Sequence, residues 1–308
     1  MSQNTDRLMS YRSKAEIQKW LLLMPGVILY GIFNFIPLIG LFGMALMDWK
    51  GIGPMEYVGL ENFKLIFFDP YYRDGFLNAL GNNIIFFGVI ITAMLVIGTI
   101  FALLLSFKTY GREVYKVIFF LPYPLAGAAV AVLMNMIFRD NGPVNTLLVD
   151  WNWAEKPIPF MGDKDLSIYM LASFFSWHRM GFAIMLILSA IVAVRLDLVE
   201  AAFLDGARRL QAIRHVVLPV LMPAIIVIFV IIMVDTFNNA DMTLLIFGPA
   251  GGPGYGADVM GSYLYRAAFG AGSTDPVLGY GVAAVVGILT SLVIMPAAIF
   301  SAIQNNKK

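Results

Sequence analysis

The sequence predicts an all-α polytopic membrane protein with six transmembrane helices, and three observations carry that prediction. The 308 residues are 59% hydrophobic and only 13% charged, a balance outside that of soluble globular chains. Six stretches are apolar over the roughly 20 residues that a bilayer-crossing helix needs. Lys and Arg then fall unevenly in the segments that join those stretches.

Arg7, Arg12, Lys14 and Lys19 precede the first stretch, 20–47. It is too long for a signal-peptide core and has no small-residue cleavage site, so it reads as an uncleaved first helix behind a cytoplasmic segment 1–19. The others follow at 79–107, 116–138, 168–194, 217–238 and 277–303, giving one six-helix domain over 20–303 and a tail at 304–308. With Lys116 at the very start of the third stretch counted in, the termini and the joining segments after the second and fourth stretches hold 13 of the 21 Lys and Arg residues, including Lys108, Arg112, Arg208, Arg209, Arg214 and Lys308. The opposite side holds seven: Lys50, Lys64, Arg73, Arg139, Lys156, Lys164 and Arg266. Because cytoplasmic loops collect Lys and Arg, both termini are expected on the cytoplasmic side of the inner membrane.

The outer segments, 48–78, 139–167 and 239–276, carry Trp49, Tyr71, Tyr72, Trp151, Trp153 and Tyr263, residues suited to a membrane–water boundary. They also carry the turn formers Gly53-Pro54 and Gly142-Pro143 and the run GPAGGPGYG at 248–256, so short or interfacial helices are expected there. A net charge of +1 leaves no basic field for nucleic acid, and the absence of Cys excludes disulfides and thiolate chemistry. No GxxxxGK[ST] phosphate loop occurs, and His178 and His215 form no recognisable zinc pattern. Catalytic and metal-ligating residues are therefore not expected.

The joining segment 195–218 is the most informative. Leu196 to Asp205 reads as a short helix, with Asp197 at its N-cap, Glu200 in the first turn and Gly206 supplying the terminating turn. A second short helix is expected from Ala207 to Val216, with Pro219 and Pro223 constraining the start of the fifth stretch. Ala201 and Ala202 let a partner approach the backbone, and Leu198, Phe203 and Leu204 offer it apolar grip. The plain alternative is a solvated loop whose arginines only enforce orientation, but that role does not require paired alanines, an Asp-Gly turn and a Leu-Pro exit.

The pattern EAAxxDGAxxxQxxxxVxLP resembles the cytoplasmic coupling motif of permease subunits in binding-protein-dependent ABC importers. Glu200, Ala201, Ala202 and Gly206 match its defining positions, and Asp205, Gln211, Leu218 and Pro219 its flanks. KVIFFLPYPLAGAAVAVLMNMIF, NGPVNTLL, AGGP at 250–253 and LGYGVAAVVGIL at 278–289 resemble the carbohydrate branch, maltose-type, and within it the first of two permeases. Val194-Arg195 replaces the usual Ile-Pro before the motif, and IFGPAGGP rewrites the usual Thr-containing approach to Gly-Gly-Pro. The resemblance implies a type I ABC importer permease fold and a heterodimer with a second permease. It also implies two ATPase subunits that bind ATP and Mg, an extracytoplasmic solute-binding protein and a saccharide substrate. ATP-driven closure of the ATPases would move the docked loop and open a cavity outward.

Charge inside the bilayer is the remaining signal. A buried Arg or Asp costs about 2.5–3.5 kcal/mol on insertion scales, so such groups face a cavity or each other. Arg179 and Asp235 qualify, amid Trp177, His178, Phe182, Thr236, Asn238 and Asn239. By resemblance, His178, Arg179, Phe182, Asp235, Thr236 and Asn239 fall where the maltose-type permease lines its sugar pocket, and the arginine suits an acidic saccharide such as a uronide. Two other readings stay open: a structural Arg179–Asp235 pair, and an Arg179 that snorkels to water. Asn82 and Asn83 read as helix-end polar groups, and Tyr123, between Pro122 and Pro124, as a kink marker. The rivals are another solute (glycerol phosphate, polyamine or amino acid), a secondary transporter and, last, an intramembrane enzyme.

Overall fold

A computed structural model describes residues 18–106, 110–194, 201–271 and 277–305. Glu200, Arg195, Leu196, Asp197 and Leu198 lie outside the described residues.

Among the described residues, five helices, not six, are long and apolar enough to cross a membrane. They are α1 (Gln18–Ala45), α3 (Pro70–Ser106), α7 (Lys164–Val192), α8 (Ile213–Phe237) and the last, α11, which runs Tyr280–Asn305. The expectation of six transmembrane helices is corrected at 116–138. That stretch is two helices, α4 (Arg112–Phe120) and α5 (Gly127–Phe138), separated by turns over 121–125. Pro122 and Pro124 cause the break, since each lacks a backbone N–H and its ring clashes with a helical carbonyl one turn back. At about 1.5 Å per residue neither half reaches the ~30 Å of a hydrocarbon core.

The other ends shift by smaller amounts. α3 starts nine residues earlier than the apolar count suggested, because Pro70 suits a first helical turn and Asp69 Oδ1 accepts from Tyr71 N at 2.9 Å. Asp163 caps α7, accepting from Asp165 N and Leu166 N. The second short helix expected at 207–216 is a turn at Arg209–Ala212 that runs on into α8. A wide helical turn at Ile213–Val217, closed by Leu218 N to Ile213 O, takes up the N–H missing at Pro219.

Among the described residues, the outer segments hold four short α-helices, α2 (Glu61–Phe68), α6 (Pro143–Asp150), α9 (Asp241–Phe247) and α10 (Met260–Phe269), and a 3-10 turn at Pro253–Tyr255. A two-residue hairpin, β1 (Met47–Asp48) with β2 (Glu56–Tyr57), adds antiparallel pairing that the sequence did not suggest.

Side-chain contacts give the helix directions. Gly287 lies against Leu41, and Tyr280 N donates to Trp49 O at 2.8 Å, so α1 and α11 are antiparallel and residues 18 and 305 share one end. Phe86 meets Phe175, and Gly98 meets Ala183 and Ile187, so α3 and α7 run in parallel with their starts at the other end. The broken segment runs against α7: Phe119 and Phe120 backbone atoms press on Gly181, Leu125 reaches His178 and Phe138 packs on Phe174. Gly181 is required there, since any Cβ would collide with that backbone.

The main core is built by α3, α7, α5 and α8, around Phe86, Ile90, Met94, Leu171, Ile184, Ile187, Ile228 and Ile232. A second core joins α2, α10 and α11 through Ile66, Tyr263, Val285 and Val286. By contrast α1 buries nothing in its most apolar window, as an all-round apolar helix in lipid does.

Candidate functional site: an intramembrane polar cavity above a charged loop

Two regions carry the residues singled out in the sequence. The first is the loop after α7. Residues 201–204 are helical, and Gly206 ends that turn in the left-handed region at φ 83°. Gly206 N donates to Phe203 O at 3.0 Å and Ala207 N to Ala202 O at 2.9 Å, the paired bonds that close a helix on a glycine. Gln211 Oε1 then accepts from Arg208 N at 2.7 Å, starting the next turn. Ala201, Asp205 and Gly206 are exposed, Ala202 is partly so, and Phe203 and Leu204 stand at 47% and 88% exposure with no core to enter. A cleft of about 380 Å³ lies between Ala202, Gly206, Gln211 and His215. Leu218 is exposed and Pro219 occupies the second position of the regular helix beyond.

The second region is a cavity of about 410 Å³ between the chain break at Tyr123–Gly127, α7, the end of α8 and the start of α9. Arg179 Nη2 lies 3.1 Å from Asp235 Oδ2, with the two side chains 28% and 30% exposed. The guanidinium carbon stands 5.5 Å from the Tyr123 ring and 5.4 Å from the Phe175 ring, within cation–π range. Its buried Nε has no partner among the described residues, and neither has the buried Asn239 side-chain oxygen. His178 Nε2 donates to the Leu125 carbonyl at 3.0 Å, which sets that nitrogen as the protonated one and ties α7 to the break.

The expected pocket residues divide. His178, Arg179, Asp235 and Asn239 line this cavity. Phe182 stacks on Tyr123 at 5.6 Å and 17°, one layer behind the wall. Thr236 is fully buried and its hydroxyl bonds Ile232 O at 2.8 Å, so it turns into the helix. Phe175, Asn238, Asp241 and Tyr123 also line the cavity. Phe175 was legible as the residue one helical turn before Arg179, while Asp241 gave no signal because it opens a short helix outside the apolar stretches. Asn82 and Asn83 lie inside α3, and their amides hold the loop before α10. Among the described residues no cluster of His, Asp and Glu converges as a metal site.

Chemically, the cavity offers charge-assisted donors, carboxylate and amide acceptors and two ring faces, and no nucleophile with an adjacent base. Such a lining can bind a polar solute. Comparison with known proteins gives the family. The probable ABC transporter permease protein YurN of Bacillus subtilis is 27% identical over 281 residues, covering 89% of this chain and 92% of that protein. The probable starch degradation products transport system permease protein AmyD of Thermoanaerobacterium thermosulfurigenes is 27% identical over 286 residues, covering 90% and 93%. A solved bacterial alginate ABC transporter, in complex with an alginate pentasaccharide-bound periplasmic protein, contains a chain with a TM-score of 0.75 and 25% identity, covering 94% of this chain and 93% of that one. Residues 94–308 match the family described as binding-protein-dependent transport system inner membrane component, and the chain belongs to that family.

Proposed function

We propose that this chain is the transmembrane permease subunit of an ATP-driven importer for a sugar or oligosaccharide. What supports it is the cavity on α7 and α8, the two helices joined by the exposed Ala201–Gly206 loop: a polar site and an exposed loop share the same two helices. Ring faces at Tyr123 and Phe175 suit sugar C–H faces, while Asn238, Asn239 and Asp241 suit hydroxyls. The Arg179 guanidinium, 28% exposed at the cavity, suits an acidic saccharide. The names of AmyD and the alginate transporter support a saccharide.

The complete importer adds a second permease, two ATPase subunits that bind ATP and Mg, and an extracytoplasmic binding protein. Glu200, Ala201, Ala202, Asp205, Gly206, Leu218 and Pro219 are assigned to ATPase coupling within the segment 195–218. His178, Arg179, Asp235 and Asn239 contact substrate, with Phe182 and Thr236 supporting the wall from behind. The Lys- and Arg-rich end, which gathers the loop, residue 18 and residue 305, is assigned to the cytoplasm, and with it both termini. Inverting a 1:99 preference between inward and outward states takes about 5.5 kcal/mol of differential interaction, which nucleotide and the loaded binding protein would share.

The test is reconstitution in proteoliposomes with the partner permease, ATPase and binding protein. ATP-dependent uptake of maltotriose or an alginate trisaccharide is expected. Uptake that persists without the ATPase, or that is specific to a non-saccharide solute, overturns the proposal.

A further inference from the structure

A second cavity, of about 480 Å³, opens at the end of the molecule opposite the coupling loop, where α3 and α7 begin. Its wall includes Tyr71, Asp74 and Asn78 of α3, Lys164 at the start of α7, Tyr255 of the glycine-rich loop and Arg266 of α10. Neither the transmembrane cavity nor the loop uses these residues.

The site is built around Tyr255. This residue has φ 59°, a left-handed conformation uncommon for a non-glycine residue and of the kind that concentrates at ligand clamps. Its backbone is held there: the carbonyl accepts from Asn78 Nδ2 at 3.1 Å and from Asn82 Nδ2 at 3.0 Å. Its ring lies 4.5 Å from the Arg266 guanidinium carbon, and that side chain, 8% exposed, donates from Nη2 to the fully buried Asp258 at 2.7 Å. The other Asp258 oxygen accepts from Ser262 Oγ at 2.7 Å. Buried charge therefore sets the position of an aromatic ring at the wall of an open cavity.

Among the described residues, Asp258 holds Arg266 at 2.7 Å and Arg73 holds Asp74 at 3.1 Å, so these charges of the wall are engaged within the protein. What the wall offers is two tyrosine rings, Tyr71 and Tyr255, with an amide, a carboxylate and an amine around them. A neutral polyhydroxylated ligand with exposed C–H faces fits that chemistry, stacking on the rings and bonding at its edges. The wall is also shared: the same loop runs from Tyr255 to Gly261, which packs on the backbone of Asn239 in the transmembrane cavity.

We infer that this outer cavity is a second saccharide subsite, which receives sugar residues at the extracytoplasmic face before they reach the Arg179 cavity. The inference rests on the saccharide reading of that cavity.

The experiment uses the whole transporter in nanodiscs without nucleotide, with maltotriose as the probe and saturation-transfer NMR as the readout. Tyr71→Ala and Asp74→Asn alter exposed side chains, and Tyr71→Phe retains the ring. Binding roughly two- to tenfold weaker in Tyr71→Ala, the scale of one aromatic contact, is expected, with Tyr71→Phe close to wild type. Unloaded ATPase activity should not change in any of the three. If Asn239→Ala abolishes binding while Tyr71→Ala and Asp74→Asn leave it intact, the outer subsite is overturned and the transmembrane site stands. If the wild-type complex binds no maltotriose, the outer subsite falls as well, and uptake of an alginate trisaccharide then decides whether the proposed function survives.

Discussion

Two of the arginine–aspartate pairs among the described residues, Arg266–Asp258 and Arg179–Asp235, differ in every respect except chemistry. Arg266 and Asp258 lie within one short stretch of chain at 2.7 Å, with exposures of 8% and 0%. Two tyrosine rings flank the guanidinium, at 4.5 and 5.0 Å, and Ser262 satisfies the second carboxylate oxygen. Burial also raises the neighbouring Tyr263 phenol above its ordinary pKa, so it stays neutral and donates to Tyr72 O. Arg179 and Asp235 come instead from two different long helices, meet through a single contact at 3.1 Å, and stay nearly a third exposed beside a cavity. A closed pair whose bonds are local pins a loop. An open pair that bridges two helices can be reached from the cavity, and its geometry is set by how the two helices lie. Burial and connectivity, more than the identity of the charges, separate a structural ion pair from a site.

The comparison breaks most readily at the closed pair. Asp258→Ala leaves an uncompensated buried guanidinium, and removing one partner of such a pair typically costs about 3–5 kcal/mol. A large fall in the thermal midpoint of the solubilised complex is expected, whereas Asp235→Ala should shift it far less, because its partner can reach water in the cavity. Equal shifts in the two variants would erase the distinction.

Loss of function without loss of fold is expected next, at the loop. Gly206→Pro demands φ near −65° where the chain adopts 83°, so the helix-ending turn cannot form. ATP-driven uptake should disappear while membrane insertion, followed by fractionation, persists; normal coupled uptake would remove the coupling assignment. The smallest effect sharpens the cavity itself. Thr236→Val loses only a hydroxyl bonded within its own helix and should change uptake kinetics less than twofold, the scale of a few tenths of a kcal/mol. Asn239→Ala, which removes a cavity-facing amide, should raise KM roughly tenfold, as a lost polar contact of about 1.4 kcal/mol does. The reverse order would move the substrate wall to the other face of α8.

How much was legible follows from what each signal measures. Hydropathy located the long apolar helices to within a few residues, except that α3 began nine residues earlier than expected, because burying apolar length in lipid is a requirement that composition reports directly. It missed the break at 121–125, because Pro122 and Pro124 remove backbone bonds without lowering apolarity. The two prolines were the visible sign, and they were weighed only as a kink. Arg179 and Asp235 stood out because charge within a membrane span is expensive enough to need a reason. Thr236 lies behind the wall, since a sequence does not record which way a hydroxyl turns when its own helix can accept from it. Asp241 and Phe175 became neighbours only through packing.

By itself, then, the sequence determined the solvent, the rough length and number of the apolar stretches, the charged end, and a loop whose Asp-Gly turn closes a helix. These are local properties, set by side-chain hydropathy and by what glycine and proline permit in the backbone. The tertiary structure decided that one apolar stretch is broken, that α7 and α8 bring Arg179 to Asp235, and that the Arg266–Asp258 pair is sealed. Those outcomes depend on which helix faces meet, and the meeting is settled by close packing, as where the backbone at Phe119 and Phe120 fits only against the bare Gly181.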